Sequence, residues 1–160
     1  MTSAAPMSPM IDQRVVDFSL PATGDQTFTL AACFGHPLVI YFYPKDSTPG
    51  CTVEAQQFRD LHALFVDAGC TIVGVSRDSL KSHENFKSKQ NLPFALLSDA
   101  DETLCVQFSV IKTKTMYGKQ VRGIERSTFV IDGQGILRRE WRGVKVPSHA
   151  QDVLDFVKTL

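Results

Sequence analysis

The 160-residue sequence lacks net charge, a long apolar run and a recognisable export signal. Lys and Arg number 17, and Asp and Glu also number 17, so neither a nucleic-acid partner nor a polybasic membrane contact is expected. No apolar stretch approaches the ~20 residues of a membrane span. Residues 1–10 have neither the basic start nor the apolar core of a secretory signal, so a cytoplasmic location is expected.

Cysteine is scarce and widely spaced, which excludes the common dithiol motifs. The four cysteines are Cys33, Cys51, Cys70 and Cys105. Because no C-x-x-C pair occurs, neither a zinc ribbon nor a vicinal redox dithiol fits. The four histidines show no ligand spacing with the cysteines, so no metal site is expected. In a reducing compartment such scattered cysteines are expected to stay free thiols.

Hydrophobic patterns predict alternating strands and helices. Strands are predicted over 15–20, 27–30, 38–43, 71–75, 95–97, 126–131 and 136–141. Helices are predicted over 51–69, 79–90, 101–108 and 148–160. Ser79 and Ser148 are the expected N-caps of the second and fourth helices. The second helix, 79–90, is expected to be exposed. Residues 113–123 are polar and are predicted to be irregular.

This order of elements indicates the α/β fold class. Strands that alternate with helices predict a parallel core sheet, and the late hairpin adds antiparallel strands. The expected architecture is a thioredoxin-like three-layer sandwich, a mixed central sheet flanked by helices. It would form a single domain over 13–160, after a flexible N-terminal tail over 1–12.

Cys51 is distinguished by the segment that leads to it. The apolar run 38–43 predicts a buried strand, residues 44–50 form a loop rich in Pro and Gly, and a helix is predicted from Cys51 onward. A thiol in the first turn of a helix faces unpaired backbone N–H groups and the positive end of the helix dipole. That position favours the thiolate, which is the reactive form of cysteine.

A strong nucleophile at this position needs a cation as well. A helix N-terminus typically stabilises an anion by roughly 0.3–1 kcal/mol, whereas a thiol with an ordinary pKa near ~8.5 needs about 2 kcal/mol to ionise at neutral pH. Arg126 is the candidate, because it begins a strand and so lies at one end of the sheet; the alternative is a surface pair with Glu125. Glu54 would orient Arg126 if paired with it, and is otherwise ordinary in a first helical turn.

Three further residues of the loop have both a functional and a purely structural interpretation. Pro44 would shield a reactive sulfur from water, or would simply end the strand. The hydroxyl of Thr48 would donate to a thiolate or to a bound oxygen, or would serve the turn. Gly50 lets backbone approach a small ligand closely, or only shapes the turn. The spacing Pro44-x-x-x-Thr48-x-x-Cys51 is more specific than its parts.

The segment Tyr43–Glu54 closely resembles the active-site signature of the peroxiredoxins, and in particular of the peroxiredoxin Q, or bacterioferritin comigratory protein, subfamily. Agreement extends over most of the chain, from about residue 15 to residue 160. The further matching stretches are Phe58–Asp60, Gly74–Ser79, Leu97–Asp99, Met116–Gly118 and Arg126–Asp132.

The resemblance implies a thioredoxin-dependent thiol peroxidase that reduces hydrogen peroxide and organic hydroperoxides without metal or organic cofactor. It implies that Cys51 is the peroxidatic cysteine, Thr48 and Pro44 its pocket partners, and Arg126 the activating arginine. The Cys51 thiolate would become a sulfenic acid and be recycled by thioredoxin, glutaredoxin or a low-molecular-weight thiol. A role in antioxidant defence and a monomeric state are expected on the same ground.

The sequence departs from the family at the positions of the second, resolving cysteine. Members of the subfamily often carry it five residues after the first, which here is Gln56, or in the following helix at a position that matches Lys87. Cys105 is the remaining candidate, and Cys33 and Cys70 are expected to be packed in the core. The expectation is therefore a one-cysteine enzyme that relies on an external thiol.

Two other functions are compatible with a thioredoxin-like fold. A catalytically silent binding module is disfavoured by the intact set of Pro44, Thr48, Cys51 and Arg126. A disulfide oxidoreductase is disfavoured because Glu54, not cysteine, lies three residues after Cys51. Peroxide consumption and insulin reduction distinguish these alternatives from a peroxidase.

Overall fold

A computed structural model describes residues 9–160 of the chain. Its strands are β1 (Ser19–Ala22), β2 (Gln26–Thr29), β3 (Leu38–Phe42), β4 (Thr71–Ser76), β5 (Ala95–Ser98), β6 (Ile111–Met116), β7 (Lys119–Ile124), β8 (Ser127–Ile131) and β9 (Leu137–Arg142). Its helices are α1 (Pro49–Asp67), α2 (Leu80–Gln90), α3 (Thr103–Gln107) and α4 (His149–Val157), with a 3₁₀ turn at Ala31–Cys33.

Seven strands form the central sheet, in the order β2-β1-β5-β4-β3-β8-β9. The pairs β3–β4 and β4–β5 are parallel, and the other pairs are antiparallel. This mixed sheet confirms the predicted thioredoxin-like α/β fold. The carboxyl ends of the three parallel strands meet at one edge of the sheet, where loops from different parts of the chain converge.

Alternate residues of each core strand face two separate apolar clusters. Val39 and Tyr41 of β3 face the cluster that holds α1, α2 and α4, which we call the α1 face. Leu38, Ile40 and Phe42 face the cluster that holds α3, which we call the α3 face. All five are at most 1% exposed. The sheet is therefore a barrier between the two layers of helices, and side chains on opposite faces do not meet.

Both predicted N-cap residues stand at the starts of their helices, but only one of them caps through its side chain. Ser79 caps α2 as expected, since its hydroxyl accepts a hydrogen bond from the Ser82 N–H. Ser148 is the N-cap residue of α4, but it has a left-handed φ of 64° and makes no side-chain capping bond. The expectation that α2 is exposed holds for most of its residues but not for His83 and Phe86, which are at most 1% exposed.

The polar stretch 113–123 is not irregular but belongs to the antiparallel pair β6–β7. Most of its side chains are exposed, so no apolar alternation marks the strands. The signal that was present is the turn at Tyr117-Gly118, where both residues have positive φ, 51° and 75°. Tyr117 at the tip is 98% exposed.

The N-terminal boundary differs from the prediction in detail. Of the tail predicted over 1–12, residues 1–8 lie outside the described residues. The Asp12 N–H donates to the Leu137 carbonyl at 2.7 Å, and Arg14 forms an isolated bridge with Ile136, so the chain contacts β9 before β1 begins at Ser19. Within residues 9–160, no helix has both the length and the apolar character needed to cross a membrane.

Candidate active site

The pairing of β3 with β8 brings the two predicted functional segments together. These strands are antiparallel, and Phe42, the last residue of β3, pairs with Ser127, the first residue of β8. The loop that follows β3 leads to Cys51, and Arg126 directly precedes Ser127. Residues 75 positions apart in the chain therefore meet at one edge of the sheet.

Cys51 is the third residue of α1 and is 2% exposed. The Gly50 and Cys51 N–H groups lie in the first turn, where the helix supplies no carbonyl partner for them. The Arg126 Nη2 donates to Cys51 Sγ at 3.4 Å. A cation and a helix N-terminus thus face the same sulfur.

Glu54 fixes the arginine from the other side. The Arg126 Nη1 donates to Glu54 Oε1 at 2.6 Å, and the glutamate side chain is 1% exposed. Its second oxygen, Oε2, has no hydrogen-bond partner among the described residues. Burial raises the pKa of Glu54 to about 7, against the opposing effect of Arg126. Arg126 therefore bridges Cys51 and Glu54. The alternative considered from the sequence, a surface pair of Arg126 with Glu125, is not what the structure shows.

Gly50 has a steric role in this arrangement. A Cβ at this position would lie 3.3 Å from Arg126 Nη2, so a side chain here would crowd the guanidinium. Gly50 is not among the residues with positive φ. Glycine is therefore required here because it leaves space for the guanidinium, and not because of its backbone conformation. The group that approaches the Gly50 backbone closely is the Arg126 side chain, whereas the sequence analysis considered a small ligand or the shape of the turn.

Pro44 and Thr48 lie in the loop before Cys51, and among the described residues the Thr48 hydroxyl makes its hydrogen bond to another partner than the sulfur. Pro44 is exposed directly after Tyr43, at the end of β3. Thr48 is half-buried at the N-cap of α1, and its hydroxyl donates to the Lys45 carbonyl at 2.9 Å. Its oxygen retains the capacity to accept a hydrogen bond. The predicted roles of Pro44 and Thr48 remain predictions.

Tyr41 is a buried polar residue that the sequence pattern did not distinguish from the apolar strand around it. It is 1% exposed, stacks on Phe58 with ring centroids 4.7 Å apart, and its hydroxyl has no partner among the described residues. Its pKa is raised well above the ordinary value, first by burial and then by the charges of Glu54 and Cys51. The phenol therefore stays neutral on the α1 face.

Cys105 is separated from Cys51 by the central sheet. Cys105 is 0% exposed and packs on the α3 face, whereas Cys51 packs on the α1 face. Burial and the neighbouring Asp99 carboxylate both raise the pKa of Cys105. A disulfide requires Cα atoms about 4.4–6.8 Å apart, so the fold gives no support to Cys105 as the resolving thiol.

The other two cysteines are also unsuited to resolve Cys51. Cys70 is 4% exposed, its thiol donates to the Thr71 carbonyl, and burial raises its pKa to about 12. Cys33 is half-buried against the α3 face, and burial raises its pKa as well. All four cysteines are free thiols.

The two positions that match the family's resolving cysteines hold α1 and the end of α2 in place. Gln56 Nε2 donates to Gln90 Oε1 at 3.0 Å, which links α1 to α2. Lys87 Nζ donates to the carbonyls of Leu92 at 2.8 Å and Phe94 at 3.1 Å. Both side chains are engaged in hydrogen bonds, and neither offers a thiol.

Comparison with known proteins identifies the family. A model of the AhpC/TSA family matches residues 11–140. The chain belongs to this family, and within it to the peroxiredoxin Q, or bacterioferritin comigratory protein, group. It is 56% identical over 142 residues to Peroxiredoxin Bcp of Xanthomonas campestris, which covers 89% of each chain.

Two solved structures extend the likeness to the whole fold. One is a Xanthomonas campestris bacterioferritin comigratory protein, described for its alkyl peroxide reduction activity, with a TM-score of 0.86, 55% identity and coverage of 89% of this chain and 90% of that one. The other is a cysteine-to-serine variant of Xylella fastidiosa PrxQ, with a TM-score of 0.91, 43% identity and coverage of 96% and 98%.

Proposed function

We propose that the chain is a one-cysteine thiol peroxidase, in which Cys51 reduces hydrogen peroxide and organic hydroperoxides and an external thiol restores it. The observation that carries the proposal is the bridge from Cys51 Sγ to Arg126 Nη2 at 3.4 Å and from Arg126 Nη1 to Glu54 Oε1 at 2.6 Å. Membership of the peroxiredoxin Q group supports the peroxide chemistry, and the alkyl peroxide activity described for the Xanthomonas campestris relative supports organic hydroperoxides as substrates.

In the first step the Cys51 thiolate attacks the terminal oxygen of the hydroperoxide in line with the O–O bond. A sulfur–oxygen bond forms and the O–O bond breaks, so the sulfur loses two electrons and becomes a sulfenic acid. The leaving oxygen departs as an alcohol or water after it takes a proton. The Arg126 guanidinium and the N–H groups of the first turn stabilise the charge that develops on the oxygens.

The loop residues act on the substrate rather than on the sulfur in this proposal. Because the Thr48 hydroxyl donates to the Lys45 carbonyl, its oxygen is available to accept the hydroperoxide O–H. Pro44 limits access of water to the loop. Glu54 holds Arg126 by one guanidinium nitrogen and leaves the other for Cys51 and the peroxide.

Regeneration requires two thiols from outside the chain. The first attacks the Cys51 sulfenic acid, which gives a mixed disulfide and water, and the second displaces Cys51 as the free thiol. Burial of Cys105 on the opposite face and the hydrogen-bonded Gln56 and Lys87 support an external source. Since Cys51 is 2% exposed, the first turn of α1 must open for the reductant to reach it.

The proposal includes a monomeric, cytoplasmic enzyme reduced by thioredoxin, glutaredoxin or a low-molecular-weight thiol. Four free cysteines and no disulfide among the described residues are the pattern of a reducing compartment. Light scattering at several concentrations tests the oligomeric state. Turnover with each reductant in parallel tests the electron donor.

The function is tested by peroxide consumption with dithiothreitol as reductant. The parent should turn over, and Cys51→Ser should fall to the rate of the reagents alone. After one equivalent of peroxide and then glutathione, mass spectrometry should find one glutathione on Cys51. Insulin reduction without peroxide consumption would indicate a disulfide oxidoreductase instead. If the protein showed neither activity, a binding module would be the remaining function.

A further inference from the structure

Asp46 is the buried residue of the active-site loop, which we define as residues 44–50. Pro44, Lys45 and Ser47 around it are exposed, whereas Asp46 is 6% exposed. A carboxylate buried in an otherwise exposed loop costs solvation energy, so it requires partners.

Four hydrogen bonds tie Asp46 to three other parts of the fold. Its carboxylate accepts from the Tyr43 hydroxyl at 2.6 Å and from the Ser82 hydroxyl at 2.8 Å, and lies 2.7 Å from His83 Nδ1. Its own N–H donates to Asp78 Oδ2 at 2.9 Å. These partners lie at the end of β3, in α2 and in the turn before α2.

His83 links this carboxylate to β5. Its Nε2 lies 2.9 Å from the Leu97 carbonyl, which can only accept, so Nε2 carries a hydrogen. Its Nδ1 faces the Asp46 carboxylate. His83 is 0% exposed, so the two side chains form a buried hydrogen-bonded pair. Burial raises the pKa of Asp46, but the hydrogen bonds from His83 and Tyr43 outweigh it and leave the pKa lowered.

The cluster is saturated with protein donors. Polar atoms of Asp46, Asp78 and His83 lie within 4.8 Å of one another, a spacing that metal ligands also show. The Asp46 oxygens, however, receive the Tyr43 and Ser82 hydroxyls, and Asp78 Oδ2 receives a hydroxyl and the Asp46 N–H. These donors occupy the lone pairs that a cation would use, so the cluster is an anchor and not a cation site.

The backbone beside Asp46 shows what the anchor holds. Ser47 has a φ of 64°, a left-handed conformation that is unfavourable for a residue with a Cβ. Thr48, the N-cap of α1, follows at once, and Cys51 lies within the next turn. A change in the conformation of Ser47 would therefore redirect the start of α1.

We propose that the hydrogen-bonded Asp46–His83 pair is a positioning device that fastens the active-site loop to α2 and so holds Cys51 in the geometry for peroxide attack. The inference deepens the proposed function and rests on it. Asp46 and His83 are positioning residues, because they act on the reaction through the loop. The sequence predicted neither, since it placed Asp46 in an open turn and His83 on an exposed helix.

The test compares Asp46→Asn and His83→Gln with the parent in two measurements. The first is kcat/KM for hydrogen peroxide, which should fall at least about tenfold in both variants, while reduction of the Cys51 sulfenic acid by dithiothreitol is not slowed, because a looser loop opens more easily to the reductant. The second is hydrogen exchange by mass spectrometry, in which peptides that span 44–50 should exchange faster. The fall in kcat/KM should be no larger in the double variant than in either single variant, because the two residues act as one pair.

Val157→Ala is the matched control for general loss of stability, since Val157 is buried on the same face in α4 and lines a groove with Leu64 at the far end of α1. It should unfold more easily but keep the peroxide rate and the exchange of 44–50. Losses that multiply in the double variant, or a peroxide rate within about twofold of the parent in both single variants, would overturn the proposal. If the parent consumed no peroxide, the proposed function would fail, and the exchange measurement would still decide whether the pair holds the loop.

Discussion

Cys51 and Cys105 occupy the same local position in two different helices. Each is the third residue of its helix, α1 or α3, and each helix follows a strand of the parallel set. Both are buried, at 2% and 0% exposed. They differ in the charge beside them, since Cys51 Sγ receives the Arg126 guanidinium, whereas Cys105 lies against the Asp99 carboxylate.

This comparison shows that a helix N-terminus does not by itself make a cysteine reactive. In α3 the Asp99 carboxylate accepts the backbone N–H groups of Leu104 and Cys105 at 3.1 and 2.7 Å, so it uses the same donors that would stabilise a thiolate. In α1 the first-turn N–H groups remain for an anionic sulfur, and Arg126 adds a full charge. The charged neighbour is therefore the feature that distinguishes the two cysteines, and the proposed function depends on this difference.

The largest expected effect is the contrast between the two cysteines themselves. Iodoacetamide should label Cys51 in the folded protein at least about a hundredfold faster than Cys105, because the Arg126 guanidinium contacts Cys51 directly, whereas Cys105 is fully buried beside the Asp99 carboxylate. Cys105→Ala should keep peroxide turnover within about twofold, while Cys51→Ala should lose it entirely. Peptide mapping of labelled sites and a peroxide assay measure both; equal labelling would remove the distinction between the two sites.

Without Arg126, Cys51 should react with peroxide much more slowly and so become more like Cys105. Arg126→Ala should slow oxidation of Cys51 by peroxide by about 10²–10³-fold, the usual cost of losing one donor to a developing charge. Arg126→Lys should recover part of the rate, because it keeps the charge and loses the paired donors. Stopped-flow or competition kinetics at neutral pH measure this step.

Because Arg126→Ala also leaves Glu54 buried without its partner, the control repeats the substitution in a Glu54→Gln background. Arg126→Ala should slow the oxidation of Cys51 in the Glu54→Gln background as well. A loss that disappeared in the Glu54→Gln background would mean that the arginine serves only to balance Glu54.

Glu54 should give stability a pH dependence of known sign. Its pKa is raised from 4.5 to about 7 in the folded protein, so the fold binds the proton more tightly than the unfolded chain does. The stability that this group contributes is complete below about pH 4.5 and is lost as pH rises through about 7. Glu54→Gln does not titrate, so the variant should gain about 3 kcal/mol in unfolding free energy relative to the parent between about pH 4.5 and about pH 8.

Urea unfolding at the two pH values measures this difference. Asp101→Asn removes an exposed carboxyl and is the matched control for the loss of a negative charge as such. A difference for Glu54→Gln that stayed constant or fell with rising pH would contradict the assignment.

Gly50→Ala should have the smallest effect and would sharpen the description of the bridge. The new Cβ would lie 3.3 Å from Arg126 Nη2, so the guanidinium must move by a few tenths of an ångström. Oxidation of Cys51 should slow by about two- to fivefold. Gly123→Ala is the control, because its Cβ would meet Arg77 only at 3.9 Å, and an equal loss in both variants would argue against the steric role.

The sequence was informative where function and fold depend on neighbours along the chain. The strand, loop and helix around Cys51 follow from local patterns, and Arg126 follows from its place at the start of a strand. Hairpin β6–β7 was missed because its side chains are polar and largely exposed, so backbone pairing carries the structure. Asp46 and His83 were missed because they are 37 residues apart, and nothing local to either indicates a buried hydrogen bond between them.

The central claim is that Cys51 alone carries the redox chemistry and that no thiol within the chain resolves it. The most direct test treats the protein with one equivalent of hydrogen peroxide without added thiol, traps sulfenic acid with dimedone and maps the peptides under non-reducing conditions. A one-cysteine enzyme should give a dimedone adduct or an overoxidised form at Cys51, with Cys33, Cys70 and Cys105 unlinked. A peptide that joins Cys51 to Cys105, or to either of the other cysteines, would contradict it.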